Sequence, residues 1–112
     1  MDNTLIYEKA IIELLEEYAH FWDTEESIKN HIIIDKERNR YQLVIIGWRD
    51  DSRFVHSVAF YIEIQNGKVW LHQNNTEALI ADELVEKGIA KNDIVLGFVA
   101  PSLRASSGFA LA

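Results

Sequence analysis

The sequence predicts a single α+β domain spanning residues 1–112, with an N-terminal helix, a four-stranded antiparallel meander, a C-terminal helix and a docked tail. Three observations predict it. Apolar residues recur at three- and four-residue spacing between Thr4 and Trp22. Four β-rich runs joined by short polar connectors follow, and Asn66-Gly67 falls between two of them as a two-residue hairpin turn.

In the first segment, Tyr7, Ile11, Leu14, Leu15, Tyr18, Phe21 and Trp22 line one face of a helix, with Asp2, Asn3 and Thr4 as candidate caps. Ile6, Ile12 and Ala19 widen the apolar face beyond a single stripe. The runs Ile28 to Asp35, Tyr41 to Trp48, Phe54 to Gln65 and Lys68 to Gln73 read as strands. In the third, Phe54, His56, Val58, Phe60, Ile62 and Ile64 are expected to share one face at period two. Counting outward from Asn66-Gly67 pairs Gln65 with Lys68, Glu63 with Trp70 and Tyr61 with His72. A second helix is expected to start near the caps Asn74, Asn75 and Thr76 and to end at Gly88. Residues 90–98 fit either a short helical turn or a buried strand, and Pro101 terminates whichever forms.

The 112 residues are 48% hydrophobic, enough for one core and no more. Twelve aromatic residues enrich that core, and the absence of cysteine excludes disulfides and cysteine-ligated zinc, consistent with a cytoplasmic location. No secretory leader or membrane span is recognisable. The formal charge of −7 sets the average field against nucleic-acid phosphates, so DNA is expected to be met indirectly.

Few residues fall in patterns that carry chemistry. Gly47, Gly67, Gly88, Gly97 and Gly108 are too scattered for a phosphate-binding loop, and the four histidines lack metal-ligand spacing. No serine sits in a nucleophile elbow. Asp50, Asp51 and Glu63 loosely echo a magnesium-dependent nuclease, but the lysine such sites use is replaced by Gln65, and paired Asp residues also suit a tight turn. The meander gathers Lys36, Arg38, Arg40 and Lys68 at one end of the sheet, a candidate basic patch. Neither a catalytic set, a cofactor nor a metal is expected.

Several segments together carry a family resemblance: Glu37-Arg38 with Tyr41-Gln42-Leu43, Gly47-Trp48, Asn66-Gly67-Lys68-Val69-Trp70, Gln73-Asn74-Asn75-Thr76-Glu77, Ile80-Ala81-Asp82-Glu83-Leu84-Val85, Gly88-Ile89, Asp93-Ile94-Val95-Leu96-Gly97-Phe98 and Phe109-Ala110-Leu111-Ala112. The chain resembles the XisI family, the fdxN-element excision controlling factors. The resemblance implies a non-catalytic accessory factor that acts with an XisH-like companion on the excision of a DNA element by a separate site-specific recombinase. It identifies no binding residues.

The apolar excess of the N-terminal helix and of strands two and three leads us to expect a homodimer. Ile94, Leu96, Phe98 and Phe109, near a terminus that would otherwise fray, are the expected anchors for a heterologous partner. A direct nucleic-acid-binding module is the alternative reading, and the nuclease is a more remote one.

Overall fold

The computed structural model describes residues 3–23 and 25–112. Its elements run α1 (Thr4–Phe21), β1 (Ile28–Asp35), β2 (Arg40–Arg49), β3 (Arg53–Gln65), β4 (Lys68–Asn74), α2 (Ile80–Glu86), a 3-10 turn (Lys91–Asp93), β5 (Ile94–Leu96) and a second 3-10 segment (Pro101–Ser106). Of the candidate caps of α1, Asn3 occupies the cap position without a side-chain hydrogen bond that caps the helix, and Asp2 lies outside the described residues.

The sheet has the order β1-β2-β3-β4-β5. The first four strands form the antiparallel meander read from the sequence. The ambiguous segment resolves as a 3-10 turn followed by β5, which lies parallel to β4 with Val69 beside Ile94. The extra strand is parallel because α2 carries the chain back across the sheet before β5 begins. Its three residues are too few for periodicity to identify.

α1 lies over one face of this sheet. Tyr7, Ala10, Ile11, Leu14 and Leu15 of α1 are buried against Tyr41, Leu43, Phe60, Ile62, Ile64, Val69 and Leu71, and Ile80 and Leu84 of α2 join the same core. Tyr18, Trp22 and Phe60 pack ring against ring, with centroids 5.1 to 5.7 Å apart. At fully buried positions such as Leu14, Phe60 or Leu84, each side chain removed from water contributes about 1.5–3 kcal/mol.

Three tyrosine hydroxyls tie the layers together. Tyr41 of β2 donates to Glu8 of α1 at 2.6 Å, Tyr18 of α1 donates to Glu83 of α2, and Tyr7 of α1 donates to Asp93. Burial and the accepting carboxylate raise all three phenols above their usual value, Tyr18 to about 12. The Lys87 ammonium reaches Glu13 at 3.1 Å and Glu17 at 2.9 Å, a further link between α2 and α1.

α2 is shorter than its sequence pattern implies. Asn74, the last residue of β4, donates its side-chain amide to the Ala78 carbonyl at 2.8 Å and accepts the Thr76 N–H at 3.0 Å. Those bonds hold residues 74–78 in a turn, so the helix starts at Ile80.

The expected single face of β3 is corrected by a bulge. Leu43 pairs with Phe60 but Val44 pairs with Val58, which leaves Ala59 as an extra residue. Paired residues share a face, so Phe60, Ile62 and Ile64 point at the helices while Phe54, His56 and Val58 point away. The carbonyls freed at the bulge are satisfied by Asn75, whose backbone N–H reaches Ala59 at 2.9 Å and whose side chain reaches Val58 at 3.0 Å. A second bulge, in β4, keeps Gln65 opposite Lys68 and Glu63 opposite Trp70 as expected but places Gln73 rather than His72 opposite Tyr61.

Candidate functional site: the open face of the sheet

With α1 and α2 both on one side, the second side of the sheet is left largely uncovered by described elements, and it falls into two parts. At the end of the β2–β3 hairpin, Trp48 and Phe54 pair across the strands with ring centroids 5.3 Å apart, and they are 51% and 53% exposed. His56 lies 6.4 Å from Phe54 by ring centroid. Val44, Ile46 and Val58 share this face, Val44 buried and the other two half-buried. The hairpin turn carries Asp50 and Asp51, both at positive φ, between the paired Arg49 and Arg53. Asp tolerates that region better than most residues, which accounts for the acidic pair without any catalytic role.

Nearer the β3–β4 turn the face becomes polar and aromatic. His72 shares a 2.8 Å hydrogen bond with Glu63, which also faces Arg40 at 3.6 Å. Tyr61 meets the His72 ring edge-on at 5.2 Å, and Trp70 stacks beside it at 6.0 Å. The Arg104 guanidinium, from the C-terminal segment, lies 5.3 Å over Trp70. Its Nε donates to the Val99 carbonyl at 3.0 Å.

The charge is segregated in sequence and so in space. Residues 29–74, the meander, carry seven Lys and Arg against five acidic residues, whereas the rest of the chain carries four against thirteen. The helix-bearing segments thus hold the protein's acidity, and the sheet segment is mildly basic.

The structure separates the residues of the nuclease reading. Asp50 and Asp51 lie in the β2–β3 turn, whereas Glu63 sits ten positions along β3 from Arg53, roughly 30 Å away at about 3.3 Å per residue. Glu63 is instead occupied by His72 and Arg40. No group of three or more His, Asp or Glu that could hold a metal occurs among the described residues.

The basic residues expected together do lie at the end of the sheet that holds the β1–β2 and β3–β4 turns, but two are neutralised. Arg38 pairs with Asp35 at 3.1 Å, and Arg40 faces Glu63. The Arg38 backbone N–H and its guanidinium hold the Asp35 carboxyl below the usual carboxylate range. Lys36 is exposed and Lys68 half-buried.

Among the expected partner anchors, Ile94 is corrected outright, being fully buried in the core between β4 and the tail. Leu96 and Phe109 are half-buried against that core, and Lys91 lies 5.2 Å over the Phe109 ring. Phe98 is 53% exposed. The reason lies in the tail, where the Ala110 N–H donates to the Ile94 carbonyl at 2.8 Å and draws Phe109 inward.

Sequence reasoning missed the Trp48–Phe54 pair and the cluster around His72. The first was recoverable, since counting outward from a three-residue turn, Asp50-Asp51-Ser52, sets Arg49 opposite Arg53 and Trp48 opposite Phe54. The second depends on the β4 bulge and on Arg104, about thirty residues from the strand it caps.

These features define the class: a small α+β module that lays its helices over one face of a mainly antiparallel sheet and exposes an aromatic patch on the other. Comparison with known proteins narrows it. The family model described as XisI protein matches residues 1–111, and the chain belongs to the XisI family. The crystal structure of a XisI-like protein from Anabaena variabilis ATCC 29413 aligns with a TM-score of 0.91 at 33% identity, over 97% of this chain and 99% of that one. The fdxN element excision controlling factor XisI from the same organism aligns with a TM-score of 0.84 at 34% identity, over 99% and 100%. A search of curated proteins found no match. No helix is long and apolar enough to cross a membrane among the described residues.

Proposed function

We propose that this chain is a non-catalytic accessory factor in the controlled excision of a DNA element, and that it acts by docking an XisH-like companion protein on the open face of the sheet. Family membership supports the excision role, since a structural relative 34% identical over nearly the whole chain is an fdxN element excision controlling factor. The observation that carries the docking surface is the exposed Trp48–Phe54 pair. Aromatic residues flanked by arginine, here Arg49 and Arg53, are the residue types that dominate binding energy at protein interfaces. The recombinase that cuts the DNA would then be reached through this assembly.

Co-purification of the companion with the full chain tests the reading. Trp48→Ser, at an exposed position, should leave the fold intact and weaken the complex by about 2 kcal/mol or more, roughly thirtyfold. Undiminished co-purification overturns the docking surface. Magnesium-dependent nicking by the pure protein, lost in Glu63→Ala, overturns the non-catalytic assignment.

One observation favours a second reading, a nucleic-acid platform. Tyr61, His72 and Trp70 form a contiguous aromatic strip beside Arg40, Lys68 and Arg104, the composition that stacks bases of single strands. That reading requires retention on oligonucleotides that falls steeply with added salt.

A further inference from the structure

The two edges of the sheet are finished differently. On one side β5 is three residues long and is covered by the bridge from Val95 to Ala110. On the other side β1 is eight residues long, contains no proline and pairs with β2 without a register shift. No described strand pairs with this edge, and a long, regular edge of that kind is a template for another strand. Each face of this one carries an exposed isoleucine, Ile33 47% and Ile34 36% exposed.

The ladder shows which peptide groups are free. The Trp48 N–H donates to the Ser27 carbonyl at 3.1 Å, which makes residues 27 and 48 a hydrogen-bonded pair, and such pairs alternate along an antiparallel ladder. Ser27, Lys29, His31, Ile33 and Asp35 therefore direct their N–H and C=O groups at β2. Ile28, Asn30, Ile32 and Ile34 direct theirs outward.

We propose that the β1 edge seats a second copy of this chain, paired antiparallel about a two-fold axis at Ile32. In this register Ile32 faces its own counterpart and Asn30 faces Ile34, so the outward peptide groups of all three meet outward groups, and only Ile28 lacks a partner within the strand. On the open face, His31 meets Ile33. Lys29, which makes no ion pair among the described residues, meets Asp35 at both ends.

Seven of the eight strand residues pair, with opposite charges directly across from one another. A shift of one residue sets outward groups against inward ones, and a shift of two separates Lys29 from Asp35. The symmetry closes at two copies and makes one continuous sheet with all helices on the same side. The open face stays free, so this association is independent of companion docking.

Light scattering of the full chain at micromolar concentration should return twice the 12.9 kDa of one chain. Ile34→Pro removes an outward N–H and no bond to β2, and should return the mass of one chain with the near-ultraviolet circular dichroism retained. Lys29→Glu, an exposed change that sets carboxylates against each other across the axis, should weaken the dimer about tenfold. Because the chain has no cysteine, His31→Cys/Ile33→Cys should form interchain disulfides under mild oxidation. Non-hydrogen-bonded pairs bring Cα atoms to about 4.5 Å, within disulfide range. A single-chain mass for the unmodified protein, or a dimer indifferent to both Ile34→Pro and Lys29→Glu, overturns the proposal. Cross-linking by His31→Cys alone overturns the register.

Discussion

Val58 and Phe60 stand two positions apart on one strand yet face opposite sides of the sheet, because Ala59 is bulged between them. This inversion divides β3 into a buried half under the helices and an exposed half that bears Phe54 and His56. The same bulge that completes the core therefore creates the candidate docking surface.

Ala59 is 1% exposed, so the bulge has little room for a larger side chain. Ala59→Leu should destabilise the fold by about 1–3 kcal/mol through overpacking, read as a lower urea midpoint with unchanged slope.

A Cβ on Gly47 would fall 2.1 Å from the Ser27 carbonyl oxygen, a backbone atom that cannot swing aside. Gly47→Ala should consequently be more damaging than any surface substitution on β2, and should push the first strand away from the second. Amide hydrogen exchange across β1 would show the effect as lost protection.

The raised phenols of Tyr7, Tyr18 and Tyr41 make stability sensitive to alkali. Tyrosine in the unfolded chain ionises near 10, while the folded protein holds its protons longer, with Tyr18 at about 12. The stabilisation is thus fully present below about pH 10 and declines as pH rises from there through the folded values. Denaturant unfolding at pH 9 and pH 11 should show this fall, and Tyr18→Phe should reduce it. Tyr41→Phe, which leaves Glu8 without its 2.6 Å donor, should also cost about 1.5–3 kcal/mol at neutral pH.

Phe109 packs half-buried against the core under Lys91. Phe109→Ala should lower stability by about 1–2 kcal/mol, less than the roughly 3–5 kcal/mol of a fully buried phenylalanine. That is a fall of roughly 4–16 °C in melting temperature for a domain of this size, measurable by calorimetry. An unchanged melting temperature would return Phe109 to the role of a partner anchor.

Local patterns in the sequence determined the kind and order of the main elements. Helical spacing located α1, alternating apolar runs located β1 to β4, and Asn66-Gly67 set the Gln65–Lys68 and Glu63–Trp70 pairs, because a two-residue turn leaves the adjoining strands one register. The family was legible for the same reason, since its motifs are contiguous in the chain. What tertiary structure decided were the features that depend on distant residues. The β3 bulge is held by Asn75, the start of α2 by the side chain of Asn74, the parallel addition of β5 by β4, and the burial of Ile94 and Phe109 by Ala110. One inserted residue reverses every side chain beyond it, and period-two reasoning has no means of seeing an insertion whose carbonyls are satisfied by a residue sixteen positions further on, beyond the end of the next strand. That Phe54, His56 and Val58 lie on the side of the sheet away from the helices was hidden from the sequence for that physical reason.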